Sequence, residues 1–411
     1  MQSSSHETVA NIVSEPRQWH GLPARVSRQV RKPNSIAKFY SSFRSPTRAG
    51  RPCHTTLFLT ALSAVVFIAV NATPCIAADA NPPAIVRAPV VVQDNVIVDE
   101  PTEKVIRAAL KYLAAKQSPN GSWNAGAGEH PVAMTAYTLM AFLAAGNTPN
   151  EGEYGKNVMR GMQYLLERVG PDGYISVGGN GGDRGGSNMY GHGIASIALA
   201  ELYGMSKDAR LKQKLELAIH LIENSQNDQG GWRYAPRKSD ADLSVTVLQV
   251  VALRAAKNSG IDVAQRTIDN AVRFVKSCYD EGSGGFTYQP HNRQPGFART
   301  AAGIYCLQVC GLYEDPMVGK GSQFLVDGKG NMNEWYTYGH FYAAPAQYMI
   351  GGDTWKTWYE KMNKELLATV RREGDFASWE PVDHKVGTLY ATAVYTTILA
   401  MPYHYIPLYQ R

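Results

Sequence analysis

The 411-residue chain carries 41 Lys and Arg residues against 35 Asp and Glu, a formal net charge of +6. Residues 1–77 hold nine basic and two acidic residues, a net of +7, so the remaining 32 basic and 33 acidic residues sum to −1. Because the part of the chain expected to fold has no basic excess, the composition argues against a nucleic-acid-binding protein and predicts no nucleic-acid partner. The length suffices for a large buried core in one or two domains.

Residues 1–77 have the features of an export leader with a polar extension. Arg44, Arg48 and Arg51 precede the apolar run "LFLTALSAVVFIAV" at 57–70, and a small-x-small sequence ends at Ala77, where cleavage is expected. The run is shorter than the ~20 apolar residues of a membrane-spanning helix. The sequence therefore predicts an exported protein, periplasmic or extracellular. If the leader is not cleaved, the same run associates with the membrane and anchors the protein.

Beyond residue 77 the chain changes from irregular to repetitive. Residues 78–100 contain prolines and scattered valines without helical periodicity, which predicts a spacer. Residues 101–411 repeat a unit of about 45 to 55 residues: a helix with one charged stripe, a glycine-rich turn with an aromatic residue, and a helix apolar on most sides. Helices without a polar face are buried, whereas those with a charged stripe lie outside. Six such hairpins predict an all-α (α/α)6 toroid over 101–411.

The turns between the helices of a hairpin carry a recurrent Gln, Gly and Trp. Gly121, Gly230 and Gly285 are expected at positive φ, which glycine adopts without steric cost. Gln117 and Gln226 are expected to hydrogen-bond backbone groups freed where a helix ends. These residues are therefore interpreted as structural.

The same turns carry a resemblance to a known superfamily. "QSPNGSW" (117–123) and "QNDQGGW" (226–232) resemble the Gln-x-x-x-Gly-x-Trp repeat of the squalene-cyclase and protein-prenyltransferase superfamily. The chain looks most like exported bacterial members of unassigned function, and the resemblance extends from residue 101 to the C-terminus. It implies an α/α toroid with a central cavity. The hypothesis that follows is a toroid that binds a small-molecule, lipid, peptide or glycan ligand in that cavity.

An alternative function rests on two aspartates at the start of an inner helix. Class II terpene cyclases of this superfamily protonate an alkene through an Asp-x-Asp-Asp motif, and Asp240-Ala241-Asp242-Leu243 matches it except at Leu243. The resemblance implies Asp242 as the proton donor and Asp240 as its support, both facing a dry, aromatic-lined cavity. The alternative for either aspartate is a helix cap.

The zinc chemistry of the superfamily is not expected here. Protein prenyltransferases hold zinc with an Asp-x-Cys pair and a distant His; this chain has no Asp-x-Cys, and Arg299 stands where that His would be. No metal and no cofactor are therefore predicted.

Because inner helices of a toroid begin at the same end, side chains at those starts are expected around the cavity mouth. A Tyr-Gly-His triplet occurs twice among them, at 190–192 and 338–340. The alternatives are buried, hydrogen-bonded packing for His192 and His340, and an ion pair with a nearby aspartate for Arg299. The residues expected to bind the ligand are His192, Arg299, Trp335, Tyr338, His340 and His384.

Overall fold

The computed structural model describes residues 96–124, 130–177, 188–292, 294–330, 335–382 and 387–410. The predicted leader, most of the spacer and His384 lie outside these ranges. Two short antiparallel strands, β1 (Arg371–Glu373) and β2 (Phe376–Ser378), accompany the helices of the described residues. These helices are α1 (Glu100–Ala115), α2 (Pro131–Ala144), α3 (Gly155–Glu167), α4 (Met189–Ser206), α5 (Ala209–Ser225), α6 (Leu243–Ser259), α7 (Gln265–Ser277), α8 (Phe297–Val309), α9 (Pro316–Val326), α10 (Tyr336–Ile350), α11 (Gly352–Thr369) and α12 (Thr388–Ala400).

The even-numbered helices form a closed inner ring. Each packs against the next in order, and α12 returns to pack against α2. The odd-numbered helices lie outside, each paired with its inner neighbour. The predicted all-α toroid of six hairpins is therefore confirmed.

Burial follows the difference in sequence pattern between the two kinds of helix. In the inner helix α4, nearly every residue from Met189 to Leu202 is buried. In the outer helix α5, the buried residues recur every three or four positions, the spacing of a single helix face. The hydrophobic core thus lies between the two rings and within the inner one.

The glutamines of the repeated turns tie each hairpin to the next outer helix. Gln226 Nε2 donates to the carbonyl oxygens of Gly230 and Thr267, both at 2.9 Å. Gln117 makes the corresponding two bonds at the first turn, also at 2.9 Å. Trp232 Nε1 donates to a carbonyl in the last turn of α5 at 2.7 Å. The glutamines do bond to backbone, but the acceptors lie in the turn and at the start of the next outer helix, not at the end of the helix that each glutamine follows.

The turn glycines are required by conformation and by space. Gly230 has φ +96°, and a Cβ on it would overlap the carbonyl oxygen of Asn270. In the fourth hairpin the residue at positive φ is Gly284, at +81°, so its assignment to Gly285 is wrong. Gly285 is instead confined by the ring of Phe324, which a Cβ would approach to 2.8 Å.

A second hydrogen bond recurs between each turn and its inner helix. In four hairpins the backbone N–H of the turn aromatic donates to a threonine hydroxyl: Trp123 to Thr135 (3.0 Å), Trp232 to Thr246 (3.1 Å), Phe286 to Thr300 (2.9 Å) and Trp379 to Thr392 (3.2 Å). In the second hairpin Ile175 N–H donates to His192 Nδ1 at 3.2 Å. His192 therefore occupies the position that threonine has in those four hairpins.

The C-terminal segment covers the end of the ring at which the inner helices finish. After α12, the 3-10 turn Pro407–Tyr409 packs against α4, α6 and α10. Leu408 N–H donates to Glu201 Oε2 at 3.4 Å. Glu201 is 2% exposed, and this burial raises the pKa of its carboxyl to about 8.

None of the helices within the described ranges combines the length and apolar character needed to cross a bilayer.

Candidate functional site

Asp242 marks the entrance of the ring at the start of α6. Its Oδ1 accepts from Val245 N–H at 2.9 Å, and its side chain is fully buried. Its own N–H donates to the carbonyl of Trp232 at 3.1 Å, which fixes the helix start to the preceding turn. Asp242 is thus the N-cap of α6, as the structural alternative predicted.

The second oxygen of Asp242 faces a cation. Oδ2 lies 3.2 Å from Arg233 Nε, an ion-pair distance, although the approach does not align as a hydrogen bond. Burial raises the pKa of the Asp242 carboxyl, and the Val245 N–H, the Tyr288 hydroxyl and the Arg233 charge counteract part of that rise. The result is a buried acid with a positive neighbour.

Arg233 joins this buried acid to the surface. Its guanidinium pairs with Asp240, whose side chain is 58% exposed, and lies 5.1 Å and 5.9 Å from the ring centres of Tyr234 and Tyr288. The two phenol oxygens are 2.6 Å apart. Arg233, Tyr234, Asp240, Asp242 and Tyr288 are called the ring-mouth cluster below.

Beneath the cluster, tyrosine side chains occupy the ring interior. Tyr190 has its ring 5.9 Å from that of Tyr234 and 6.4 Å from that of Tyr338. Tyr338 Oη donates to the carbonyl of Ser244 at 3.0 Å, a bond that crosses from α10 to α6. Further in, the aromatic packing continues through Tyr137, Phe341, Tyr342 and Tyr390.

The expectation that both aspartates face a dry cavity is wrong for Asp240, which reaches solvent. For Asp242, burial raises the pKa of the carboxyl, and the adjacent Arg233 offsets part of that rise by favouring the ionised carboxylate. Protonating an alkene requires the opposite, a carboxyl held in its acid form. Asp242 therefore keeps the burial that the terpene-cyclase hypothesis requires, and Asp240 does not.

The two Tyr-Gly-His triplets divide between the faces of their helices. Residues two apart on a helix are about 200° apart, so a tyrosine that faces the ring interior directs the histidine away from it. His192 is fully buried, and its Nδ1 accepts a hydrogen bond from the Ile175 N–H of the preceding turn. Burial lowers the pKa of His192 to about 4. His340 is 4% exposed and bonds through Nδ1 to the carbonyl of Tyr336 at 2.9 Å. Placing either histidine at the ring mouth is wrong, and the packing alternative is confirmed for both.

The remaining predicted ligand-binding residues lie at or near helix starts. Trp335 precedes α10, is 42% exposed and has its ring 6.5 Å from that of Tyr338, so these two residues do meet at the ring mouth. The guanidinium of Arg299 folds over Gly296, and no ion pair among the described residues involves it. The expected pairing with an aspartate is made by Arg233 instead.

Arg233, Tyr234 and Tyr288 were not among the predicted site residues. Arg233 directly follows the motif tryptophan and precedes the two aspartates by seven and nine positions. That local arrangement of a cation, an aromatic residue and two acids was the available signal. Tyr288 comes from the next hairpin, and its approach depends on the ring. No group of three or more His, Cys, Asp or Glu in the described ranges could hold a metal ion.

No protein-family model and no curated protein matches the chain. Solved structures do. A variant of the type II terpene cyclase MstE from Scytonema, bound to merosterolic acid A, aligns with a TM-score of 0.52 and 14% identity over 74% of this chain and 98% of that one. An inactive variant of the α-1,6-mannanase of Salegentibacter sp. HEL1_6, bound to α-1,6-mannotriose, aligns with a TM-score of 0.55 and 11% sequence identity. The alignment covers 74% of this chain and 99% of the mannanase.

A third match is the cellobiose 2-epimerase from Bacillus thermoamylovorans, with a TM-score of 0.55 and 14% identity over 72% of this chain and 98% of that one. At such identities the likenesses show the fold alone: this chain is an α/α toroid, similar to toroids of the terpene-cyclase and of the mannanase and epimerase kinds.

Proposed function

We propose that the protein binds a carbohydrate chain at the mouth of the ring. The observation that carries this proposal is Arg233, held against two tyrosine rings and paired with two carboxylates, one of which reaches solvent. Carboxylate and guanidinium groups exchange directional hydrogen bonds with sugar hydroxyls. The electron-rich faces of Tyr234 and Trp335, both more than 40% exposed, suit the C–H faces of pyranose rings.

The surroundings of the cluster support a polar ligand over an isoprenoid. Phenol groups occupy the ring interior, and the Tyr338 hydroxyl bridges α10 and α6 just inside the mouth. A polyisoprenoid needs a deep apolar volume and a protonated acid, whereas this entrance offers charge and hydroxyl groups. Among the solved neighbours, the mannanase and the epimerase carry carbohydrates in their names, which agrees with the proposal, and MstE was solved with a terpenoid. The predicted export would bring the protein to the glycans of the cell envelope.

Calorimetric titration with α-1,6-mannotriose, cellobiose and oligomers of N-acetylglucosamine tests the proposal. Tyr234→Ala and Asp240→Asn are expected to weaken binding of the preferred sugar by about tenfold each, because the first removes a stacking face and the second replaces a charged acceptor oxygen with an amide donor. Matched controls lie at the opposite end of the ring: Tyr405→Ala, an exposed tyrosine, and Asp262→Asn, an exposed aspartate. Equal losses in the controls, or no binding of any of these sugars at millimolar concentration, would show that the proposal is wrong.

A second candidate function is acid catalysis on the bound ligand, favoured by one observation: Asp242 is fully buried and its pKa is raised by that burial. Asp242→Asn separates catalysis from binding, because asparagine caps a helix as well as aspartate does. The variant should keep its melting temperature and sugar affinity and lose turnover, followed by product chromatography from mannotriose or a geranylgeranyl substrate. If the unaltered protein converts neither substrate, the catalytic candidate fails and the binding proposal stands.

A further inference from the structure

A second concave site lies on the outside of the ring. A cavity of about 840 Å³ separates α9 from α11, and α10 forms its floor. Tyr336 and His340 line it near the start of α10 and Met349 and Ile350 at the end, and this 15-residue helix is about 21 Å long. This cavity is called the outer groove. Its volume falls within the ~300–1,000 Å³ of small-molecule sites, and it shares no residue with the ring-mouth cluster.

The floor of the outer groove is aromatic and holds one buried imidazole. The ring of His340 lies 4.1 Å from that of Tyr336, 4.8 Å from Phe297 and 6.1 Å from Trp358. Because His340 Nδ1 faces the carbonyl oxygen of Tyr336, Nδ1 carries the proton and Nε2 keeps a lone pair. Burial lowers the pKa of His340 to about 4, so at neutral pH it adds an acceptor and no charge.

Carboxylates stand at both ends of the outer groove. Glu365 lies at the end where α10 begins and accepts from the Tyr336 hydroxyl. Asp353 and Glu314 line the other end, near Ile350. Asp353 and Glu365 are twelve residues apart on α11, a rise of about 18 Å.

The charges along the groove do not balance. Lys361 is the only Lys or Arg among the described lining residues, while Asp315 is already paired with Lys276 at 2.6 Å. Asp353 and Glu365 therefore place two carboxylates against one ammonium. A long, aromatic-floored groove with an excess of negative charge at its ends suits an elongated cation.

We propose that the outer groove binds a linear polyamine, with one terminal ammonium at Glu365 and the other at Asp353. Charge-assisted hydrogen bonds hold the two ends. The methylene segments between them lie over the rings of Trp358 and Tyr336, where cation–π attraction adds to apolar contact. The His340 lone pair offers a further acceptor to an amine of the chain.

Calorimetry and tryptophan fluorescence with spermine test the site. Asp353→Asn and Glu365→Gln should each weaken binding by about threefold to tenfold, since each removes one terminal contact. Lys361→Gln should strengthen binding, because it removes the opposing charge. The matched control is Glu281→Gln, an exposed glutamate in the turn after α7. Diaminooctane should bind more tightly than aminooctane, which has only one ammonium.

All of these changes except that at Glu365 fall on exposed side chains, and melting curves check that each variant folds. Weaker binding in Lys361→Gln together with binding of the dicarboxylate suberate would identify an anion site and overturn the proposal. An equal loss of spermine affinity in Glu281→Gln would show general charge attraction instead of a defined site and would overturn the proposal. Absence of spermine binding at millimolar concentration would overturn it as well. None of these outcomes affects the ring-mouth proposal, because the two sites are separate.

Discussion

Glu201 and Asp242 are carboxyl groups buried at opposite ends of the ring, in different electrostatic surroundings. Asp242 has Arg233 at 3.2 Å and a helix N–H on its other oxygen. Glu201 receives one backbone N–H from Leu408 and faces the phenols of Tyr305 and Tyr409. Among the described residues no cation pairs with Glu201, and burial raises its pKa to about 8, so the carboxyl is mostly protonated at neutral pH.

Because Glu201 is buried as a protonated acid, the stability of the protein should depend on pH, and Glu201→Gln should remove that dependence. The pKa of Glu201 rises from 4.5 in the unfolded chain to about 8 in the folded protein, so the folded state holds the proton more tightly. The contribution of the protonated Glu201 to the free energy of unfolding is fully present below pH 4.5 and is lost as the pH rises through 8. It is worth about 3 to 5 kcal/mol. Glu201→Gln should therefore raise the melting temperature at pH 9 and flatten its decline between pH 6.5 and 9.

Glu216→Gln, on the solvent side of α5, is the matched control and should leave the decline unchanged. The pH window avoids His192 and His340, whose depressed pKa values act at lower pH, with stability lost as the pH falls from 6.5 towards 4. If the melting temperature of Glu201→Gln declines with pH as steeply as that of the unaltered protein, the Glu201 carboxyl is not the titrating group.

At the scale of elements, the turns were predictable because their contacts are local. Gln226 reaches Gly230 four residues away, and the motif spacing encodes that contact. The threonine that receives the turn N–H lies 12 to 14 residues further along the chain, beyond the motif, and was missed. The role of His192 as the acceptor of the Ile175 N–H was missed for the same reason, because the two residues are 17 positions apart.

Removing one turn glutamine should lower the free energy of unfolding more than a loop substitution usually does, because Gln226 is buried. Gln226→Ala leaves the carbonyls of Gly230 and Thr267 without their donor, in a buried place, and should lower the free energy of unfolding by about 2 to 4 kcal/mol. Gln265→Ala, which breaks an exposed bond to Asp269 at the start of α7, should cost less than about 0.5 kcal/mol. Denaturant unfolding measures both, and similar losses in the two variants would contradict the bridging role.

At the scale of the whole molecule, the repeat period and the two helix types predicted the toroid, and the closed inner ring confirms it. The mouth was predictable in part: Asp242, Tyr338 and Trp335 meet there, whereas His192 and His340 do not. The outer groove could not be predicted from the sequence. Its walls come from three helices, and its width depends on the distance between α9 and α11 rather than on any motif.

The contact between α2 and α12 has a consequence for how the protein is made. Between the end of α2 at Ala144 and the start of α12 at Thr388 the positions differ by 388 − 144 = 244. A growing polypeptide cannot form this contact until α12 has been synthesised, and until then the apolar face of α2 remains uncovered. The first five hairpins can pack against one another as they leave the ribosome, but the inner ring closes only when the sixth hairpin is present.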